Sequence, residues 1–285
     1  MTRLTLAIQK SGRLSDDSKG LLKACGISIK NGKNALTVGA SNFPIDLFYL
    51  RNSDIPSYVE DGVADLGIVG ENLLIEKRSP VRQVLQLGFS RCKLSLAVPK
   101  GVDYPGLSYF EGKRIATSYP NTLADFLQKN GINAGIHKIS GSVEIAPNIG
   151  LAEGICDLVS TGSTLFSNGL KEVQTILRSE AVLVANAQLS EAKQAILDQL
   201  LFRINAVQNA KRNKYVILNA PKDKVDALIE ILPGLKSPTI VQLADKDWYA
   251  MHSVISEDAF WESIDELKAN GAQGILVVPI EKVIV

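Results

Sequence analysis

The sequence contains few of the residues that form covalent crosslinks or metal cages. Its 285 residues include three cysteines and two histidines. Cys25, Cys92 and Cys156 lie far apart, and none belongs to a CxxC or Cys/His pattern. His137 and His252 have no partner at the spacing of a metal site or a catalytic triad. We therefore expect reduced, structural cysteines and structural histidines.

The sequence also lacks an excess of either charge and a long apolar run near its start. Thirty-one Lys and Arg against 30 Asp and Glu leave a formal charge of +1, so no overall field recruits nucleic acid or an anionic membrane. Residues 1–19 turn polar after about five apolar or small residues, too few for a signal peptide or a membrane span. We expect a cytoplasmic protein that binds any anionic ligand through local groups.

Apolar segments at strand and helix spacing are abundant. With 46% hydrophobic residues, the chain can bury roughly two or three domain cores. Predicted strands alternate with helical stretches up to residue 160, which favours a mostly parallel α/β sheet. The predicted strands are residues 4–8, 43–51, 65–69, 94–99, 113–118, 136–139 and 157–160, and the first two predicted helices are residues 15–25 and 54–61.

The last part of the chain has a different order of elements. A long helix, residues 190–213, is predicted to link it to what precedes. Strand, helix, strand, strand, helix and strand then follow, at residues 215–218, 223–231, 239–243, 251–256, 257–270 and 275–279. This βαββαβ order predicts a ferredoxin-like fold. Such a fold does not by itself specify a function.

One loop has the composition of a phosphate site. Residues 157–165 are a predicted buried strand followed by small hydroxyl residues around Gly162. Glycine lets the backbone close on an anion with converging N–H groups, although an ordinary N-capping turn fits the local pattern equally well. Asp157 suits ribose hydroxyls, and Glu144, thirteen residues earlier, would place a second carboxylate at the pocket. The hydroxyl donors would be Ser160, Thr161, Ser163 and Thr164.

A second candidate site lies where other predicted strands end. Residues 10–13 form the first strand-to-helix loop, where two cations and backbone donors suit an anionic ligand; a solvated basic turn is the alternative. Arg51, Glu71 and Tyr119 each follow or end a predicted strand. Open α/β sheets bind ligands at such carboxyl ends. Taken singly, each of these side chains also fits a structural role.

These motifs together resemble a known family. Glu144, Gly150, residues 157–159 and residues 161–165 are similar to the signature of ATP phosphoribosyltransferases. The resemblance extends over essentially the whole chain, through residues 9–14, 54–56, 65–72 and 114–120.

The resemblance implies a fold and a reaction. The fold is α/β, with a two-lobed, type II periplasmic-binding-protein-like catalytic core and a C-terminal ferredoxin-like, ACT-like βαββαβ domain. Residues 1–97 with 180–212 would form lobe I, 98–179 lobe II, and 213–285 the regulatory domain. The reaction would transfer the phosphoribosyl group of phosphoribosyl pyrophosphate (PRPP) to N1 of ATP. Its products are phosphoribosyl-ATP and pyrophosphate, at the first step of histidine biosynthesis.

By position, the resemblance also implies ligands for both substrates. No general acid or base is assigned, because N1 of adenine is unprotonated at neutral pH and pyrophosphate is a good leaving group. Mg²⁺ would arrive on the pyrophosphate. The implied PRPP ligands are Glu144, Asp157, Ser160, Thr161, Gly162, Ser163 and Thr164. The implied ATP or pyrophosphate ligands are Lys10, Ser11, Gly12, Arg13, Arg51, Glu71 and Tyr119, with Tyr119 packing on the adenine.

The resemblance further implies regulation by free histidine. The inhibitor would bind the last domain through Asn219, Leu235, Thr239 and Gly274, although these are also ordinary positions of a ferredoxin-like fold. The family implies a homo-hexamer that exchanges with a dimer. Two other classes stay open, namely a non-catalytic histidine-sensing regulatory subunit and a nucleotide- or anion-binding protein of the same fold.

Overall fold

The computed structural model describes residues 2–30, 36–159 and 162–284. The chain forms two compact units, Met1–Lys23 with Ile27–Ile196 and Ala24–Gly26 with Leu197–Val285. Within the described ranges, no helix is long and apolar enough to cross a membrane. Cys25 and Cys156 are buried free thiols and Cys92 is a half-buried one. Burial raises the pKa of the Cys25 thiol to about 11, so this side chain stays protonated at neutral pH.

Fifteen strands and eight α-helices are described. The strands are β1 (Leu4–Gln9), β2 (Thr37–Gly39), β3 (Ile45–Leu50), β4 (Leu66–Gly70), β5 (Arg82–Gln86), β6 (Cys92–Pro99), β7 (Arg114–Thr117), β8 (Gly135–Lys138), β9 (Gly154–Val159), β10 (Leu170–Ser179), β11 (Ala181–Ala185), β12 (Asn213–Pro221), β13 (Thr239–Gln242), β14 (Trp248–Ser256) and β15 (Gln273–Pro279). The helices are α1 (Arg13–Ala24), α2 (Ile55–Glu60), α3 (Glu71–Lys77), α4 (Pro120–Lys129), α5 (Ser163–Ser167), α6 (Glu191–Arg212), α7 (Val225–Ile231) and α8 (Glu257–Ala269). Short 3-10 helices occur at Leu107–Phe110, Val143–Ile145 and Lys222–Lys224.

The first unit contains two sheets. The six-stranded sheet has the order β2-β3-β1-β4-β11-β5, with β1 parallel to both β3 and β4. The five-stranded sheet has the order β10-β6-β9-β7-β8, with β7 parallel to β8 and β9. The parallel strands end at one edge of each sheet, and α1, α3 and α4 begin there, because each helix follows its strand after three residues or fewer.

Both sheets are mixed, so the prediction of a mostly parallel sheet was wrong. Among the described residues of the first unit, strands pair in parallel four times and antiparallel five times. The chain crosses from the first sheet to the second between β5 and β6 and returns between β10 and β11. These four crossing strands account for most of the antiparallel pairs. An apolar run buried on both faces carries no sequence signal for strand direction.

Strand β6 contains the predicted boundary between the lobes. It pairs with β9 and β10 of the second sheet, so the predicted boundary after residue 97 falls inside this strand. Similarly, the contacts divide the two units before Leu197, inside α6, rather than at residue 213. The threefold domain division as a whole stays a prediction.

The C-terminal sheet confirms the predicted topology. Its four strands are antiparallel in the order β13-β14-β12-β15, the arrangement of a ferredoxin-like fold. Alternate residues of β12, Val216, Leu218 and Ala220, are buried, as expected for a sheet with one covered face. Between β12 and β14, a hydrogen bond of 2.8 Å joins the Tyr215 hydroxyl to Nδ1 of His252. His252 thus has a hydrogen-bond partner within the sheet, and its structural role stays a prediction.

Candidate active site

The predicted PRPP residues that the structure describes surround one cavity. Glu144 lies on the 3-10 helix Val143–Ile145, Asp157 lies on β9, and Gly162 precedes α5. Together with Ser163 and Thr164 they line a space of about 320 Å³. Ser160 and Thr161 lie outside the described residues.

Gly162 lies directly before α5 in a backbone conformation that favours glycine. Its φ of +77° lies in the left-handed region, which residues with a side chain adopt at a cost. A Cβ at this position would lie 3.9 Å from Val159 Cγ1, an ordinary contact, so backbone conformation rather than space selects glycine here. The Gly162 carbonyl accepts a hydrogen bond from Phe166 N at 3.0 Å, which begins α5. Ser163 and Thr164, at the start of α5, line the cavity beside this glycine.

The surroundings of Asp157 in this cavity disfavour its charged form. Burial raises the pKa of Asp157, the hydrogen bond from Leu158 N to Oδ1 at 2.8 Å lowers it, and the charge of Glu144 raises it again. Two adjacent acidic groups suit ribose hydroxyls or a hard cation. Over residues 2–30, 36–159 and 162–284, no group of three or more His, Cys, Asp or Glu is arranged to hold a metal ion.

The basic loop forms a second cavity of about 450 Å³. Lys10 N donates to Leu50 O at 2.9 Å and so continues the parallel β1–β3 ladder, which brings Lys10 beside Arg51 at the strand ends. Lys10, Ser11 and Arg51 line this cavity. Gly12, with φ of +91°, and the exposed Arg13 follow, and Arg13 Nε lies 3.9 Å from the carboxylate of Asp17.

Sequence reasoning missed Asn52 as a candidate contact. Asn52 also lines the basic cavity, and its Oδ1 is enclosed without a hydrogen-bond partner among the described residues. An enclosed acceptor of this kind gains from a donor on a ligand. A polar residue after a strand was a usable signal, but many such residues occur in the chain.

A third cavity, of about 510 Å³, lies between the two sheets of the first unit. Glu71 lines it, together with three cations that the sequence did not identify: Arg91, Lys93 and Arg178. Arg91 Nε lies 3.2 Å from Glu180 and Lys93 Nζ lies 2.6 Å from Glu172, whereas Arg178 has no ion pair among the described residues. These cations stand at the crossings between the sheets, which the sequence pattern did not reveal.

Tyr119 lies where the two lobes meet, directly before α4. Its hydroxyl accepts a hydrogen bond from Asn72 Nδ2 at 3.0 Å. Burial raises its pKa to about 12, while the hydrogen bond from Asn72 acts in the opposite direction. The ring packs at the edge of the cluster around Phe110 and Leu123. The predicted ATP residues are thus divided among two cavities and this lobe contact, and stacking of Tyr119 on adenine stays a prediction.

The predicted histidine ligands are brought together only in part. Gly274 has φ of +58°, and a Cβ there would lie 3.2 Å from Asn219 Nδ2, so these two residues are in contact on neighbouring strands. Thr239 lies on β13, two strands from Asn219. Leu235, in the loop after α7, is 55% exposed.

The fold and its cavities define a class of protein. Two mixed sheets joined by two crossings, with ligand-sized cavities at strand ends, form a type II periplasmic-binding-protein-like core. A periplasmic sulfonate-binding protein from Methylobacillus flagellatus has the same fold, with a TM-score of 0.50 at 15% identity over 72% of this chain and 67% of that one. The predicted fold class, including the separate ferredoxin-like C-terminal domain, is confirmed.

Comparison with known sequences identifies the family. Residues 51–206 match the ATP phosphoribosyltransferase model, and residues 210–282 match the model of the HisG C-terminal domain. ATP phosphoribosyltransferases from Cytophaga hutchinsonii and Bacteroides thetaiotaomicron are 56% and 55% identical, over 99% of this chain and 99% and 100% of theirs. The chain belongs to the ATP phosphoribosyltransferase family, in its long form with a C-terminal domain, and is an enzyme of the pentosyltransferase class.

A solved relative agrees with this assignment. The ATP phosphoribosyl transferase (HisG:HisZ) complex from Thermotoga maritima has a chain that aligns with a TM-score of 0.61 and 31% identity. The alignment covers 70% of this chain and 95% of that one.

Proposed function

We propose that this chain transfers the phosphoribosyl group of PRPP to N1 of ATP, releasing pyrophosphate, at the first step of histidine biosynthesis. The family match over residues 51–206 supports the reaction. The observation that carries the substrate assignment is the cavity in which Glu144 and Asp157 face the loop of Gly162, Ser163 and Thr164.

In this cavity, the loop binds the 5-phosphate and the carboxylates bind the ribose. The Ser163 and Thr164 groups supply short hydroxyl donors, and Ser160 and Thr161 extend the same loop in sequence. Asp157 and Glu144 accept hydrogen bonds from ribose hydroxyls, which restores to Asp157 part of the solvation that burial removes. The sugar is thereby held with its anomeric carbon open to attack.

The chemical step needs positioning more than proton transfer. The lone pair of adenine N1 forms a bond to the anomeric carbon, the carbon–oxygen bond to pyrophosphate breaks, and its electron pair leaves with the pyrophosphate. Lys10, Ser11, Gly12, Arg13 and Arg51 bind the triphosphate or the developing negative charge of the leaving group.

Mg²⁺ fits the donors present. Glu144 and Asp157 offer the hard oxygen ligands that Mg²⁺ prefers, too few for a cage formed by the protein alone, which suits an ion carried on pyrophosphate. When bound, the ion would neutralise charge on the leaving group.

The C-terminal unit is proposed to sense histidine. Asn219 and Gly274, in contact in the structure, would form the centre of the inhibitor site, with Leu235 and Thr239 contributing from separate segments. Because Thr239 lies two strands from Asn219, we propose that the site is completed in an assembly, a homo-hexamer that exchanges with a dimer. Residues 213–285 would then be the regulatory domain.

Turnover tests the proposal. Product should form only when ATP, PRPP and Mg²⁺ are all present, followed by the absorbance of the phosphoribosylated adenine with pyrophosphatase added. Thr164→Ala should raise the KM for PRPP by about tenfold, the effect of one lost hydrogen bond to a charged group. Ser167→Ala, on the same short helix with its hydroxyl bonded to Ser163 O, is the matched control and should stay within about twofold. Nucleotide binding without turnover would instead favour the non-catalytic subunit.

A further inference from the structure

A buried carboxylate of the first lobe caps a helix of the second. Glu76 lies on α3, which follows β4 of the six-stranded sheet, and is 8% exposed. Its Oε1 accepts from Asn121 N at 3.0 Å, and its Oε2 accepts from Thr122 N at 2.9 Å and Thr122 Oγ1 at 2.8 Å. In return, Asn121 Nδ2 donates to Glu76 O at 2.9 Å. Four hydrogen bonds therefore join α3 to α4.

These bonds pair N–H groups at the start of α4 that have no partner within the helix. The first N–H groups of a helix have no partner within the helix, and Tyr119, at the N-cap of α4, supplies no side-chain acceptor. A carboxylate at this end is favoured by the helix dipole and by charge-assisted hydrogen bonds. Separating the lobes here would leave both the carboxylate and the helix donors unpaired, which is costly in a buried place.

A second set of hydrogen bonds joins the start of α3 to the residue before α4. Asn72, on α3 and 5% exposed, donates from Nδ2 to the Tyr119 hydroxyl at 3.0 Å. The Ser179 hydroxyl, at the end of β10, donates to Asn72 Oδ1 at 2.9 Å and accepts from Asn72 N at 2.9 Å. The start of α3, where Glu71 stands, and the residue before α4 are thus tied together.

We propose that Glu76 is a positioning residue for the nucleotide. By capping α4 from α3, it sets the distance between Tyr119 and Glu71, the residues assigned to the ATP side, without touching substrate itself. The inference rests on the proposed function and deepens it. Glu76 therefore sets the spacing of the lobes at the residues assigned to ATP. The residues of the PRPP cavity lie elsewhere, on β9, α5 and the 3-10 helix Val143–Ile145.

Glu76→Gln in the full chain tests this role. Glutamine keeps the size of the side chain but turns an NH₂ group toward N–H donors and removes the charge. We expect the KM for ATP to rise by about tenfold, the cost of one impaired charged hydrogen bond, with the KM for PRPP within about twofold. Amide hydrogen exchange at Asn121 and Thr122 should quicken by a similar factor. Glu76→Asp, which keeps the charge on a shorter side chain, should recover part of both losses.

The matched control is Arg78→Ala. Arg78, the residue directly after α3, contacts Asp125 on α4 from Nη2 to Oδ1 at 2.8 Å, but the side chains are 64% and 59% exposed. An exposed ion pair contributes little, so both KM values should stay within about twofold of the unmodified enzyme.

Three outcomes would overturn the inference. One is unchanged kinetics and exchange in the Gln variant. Another is an equal rise of both KM values, and a third is a loss of kcat that follows a lower melting temperature, since a merely structural role predicts either. If the unmodified enzyme itself shows no turnover, the proposed reaction fails instead. The positioning role is then decided by measuring ATP binding to the Gln variant by calorimetry, together with its amide exchange. Faster exchange with weaker ATP binding upholds the role, and unchanged ATP binding refutes it.

Discussion

Asp157 is a carboxylate whose charged form is disfavoured by its surroundings. Burial, and then the charge of Glu144, raise its pKa above the ordinary value of 3.8. An acid whose pKa is raised on folding stabilises the fold while protonated, and this contribution is lost as the pH rises through the folded-state pKa. At neutral pH the charged side chain therefore costs stability at a place where it is proposed to hold the ribose.

Asp157→Asn should accordingly melt at a higher temperature than the unmodified enzyme at neutral pH. The gain should shrink as the pH falls, and vanish below 3.8, where the folded and unfolded forms are both protonated. The same variant should raise the KM for PRPP by about tenfold or more, because a charged acceptor is lost. Thermal unfolding over a pH series, with kinetics at one pH, checks both effects. A variant that melts lower at neutral pH would contradict the stability argument.

At the scale of one element, strand β4 has a glycine, Gly67, where there is no room for a side chain. A Cβ on Gly67 would lie 2.6 Å from Ile55 Cγ2 and 3.0 Å from Val59 Cγ2, both on α2, and 3.2 Å from Val184 Cγ2 on β11. The glycine lets α2 pack directly on the sheet and β4 pass close to its neighbour. Sequence patterns identify such a strand but not the distance between strand and helix.

Gly67→Ala should lower the free energy of unfolding by about 1–3 kcal/mol, the usual cost of overpacking. Gly20→Ala is the control, since Gly20 lies inside α1 with nothing within 4 Å of its added Cβ. This second substitution should stabilise the protein by about 0.5–1 kcal/mol through helix propensity. Denaturant unfolding of both variants measures the difference. Equal effects of the same sign would show that the contacts around Gly67 relax freely.

At the scale of the whole molecule, the C-terminal unit is compact by itself. Its sheet has its own buried cluster, which includes Val216, Leu218 and Met251. We therefore expect the two activities, catalysis and inhibition, to be separable by substitution.

Asn219→Ala should raise the histidine concentration needed for half inhibition by about tenfold while kcat stays unchanged, because it removes one polar ligand contact. Truncation after residue 212 should abolish the histidine response. Initial rates over a histidine series check both. Inhibition that survives truncation would refute the assignment of the site to this unit.

Size-exclusion chromatography with and without histidine checks the assembly, and an invariant monomer would contradict the hexamer.

Local residue patterns determined much of this protein. The alternation of apolar and polar residues placed most helices and the βαββαβ order within a few residues, because burial imposes these periods on any chain. The sequence also placed Gly162 and Arg51 after strands, because glycine and strand ends have direct physical meaning, whereas the ligands of these residues stay a prediction.

Only the tertiary structure decided how these pieces meet. Strand direction and the two crossings depend on pairings between distant residues, which the sequence of a buried apolar run does not reveal. The positions of the cations Arg91, Lys93 and Arg178 depend on the same pairings. The same holds for Glu76. In sequence it is one more glutamate on a short helix, and it becomes the cap of α4 only because the fold brings the unpaired donors of another lobe to its carboxylate.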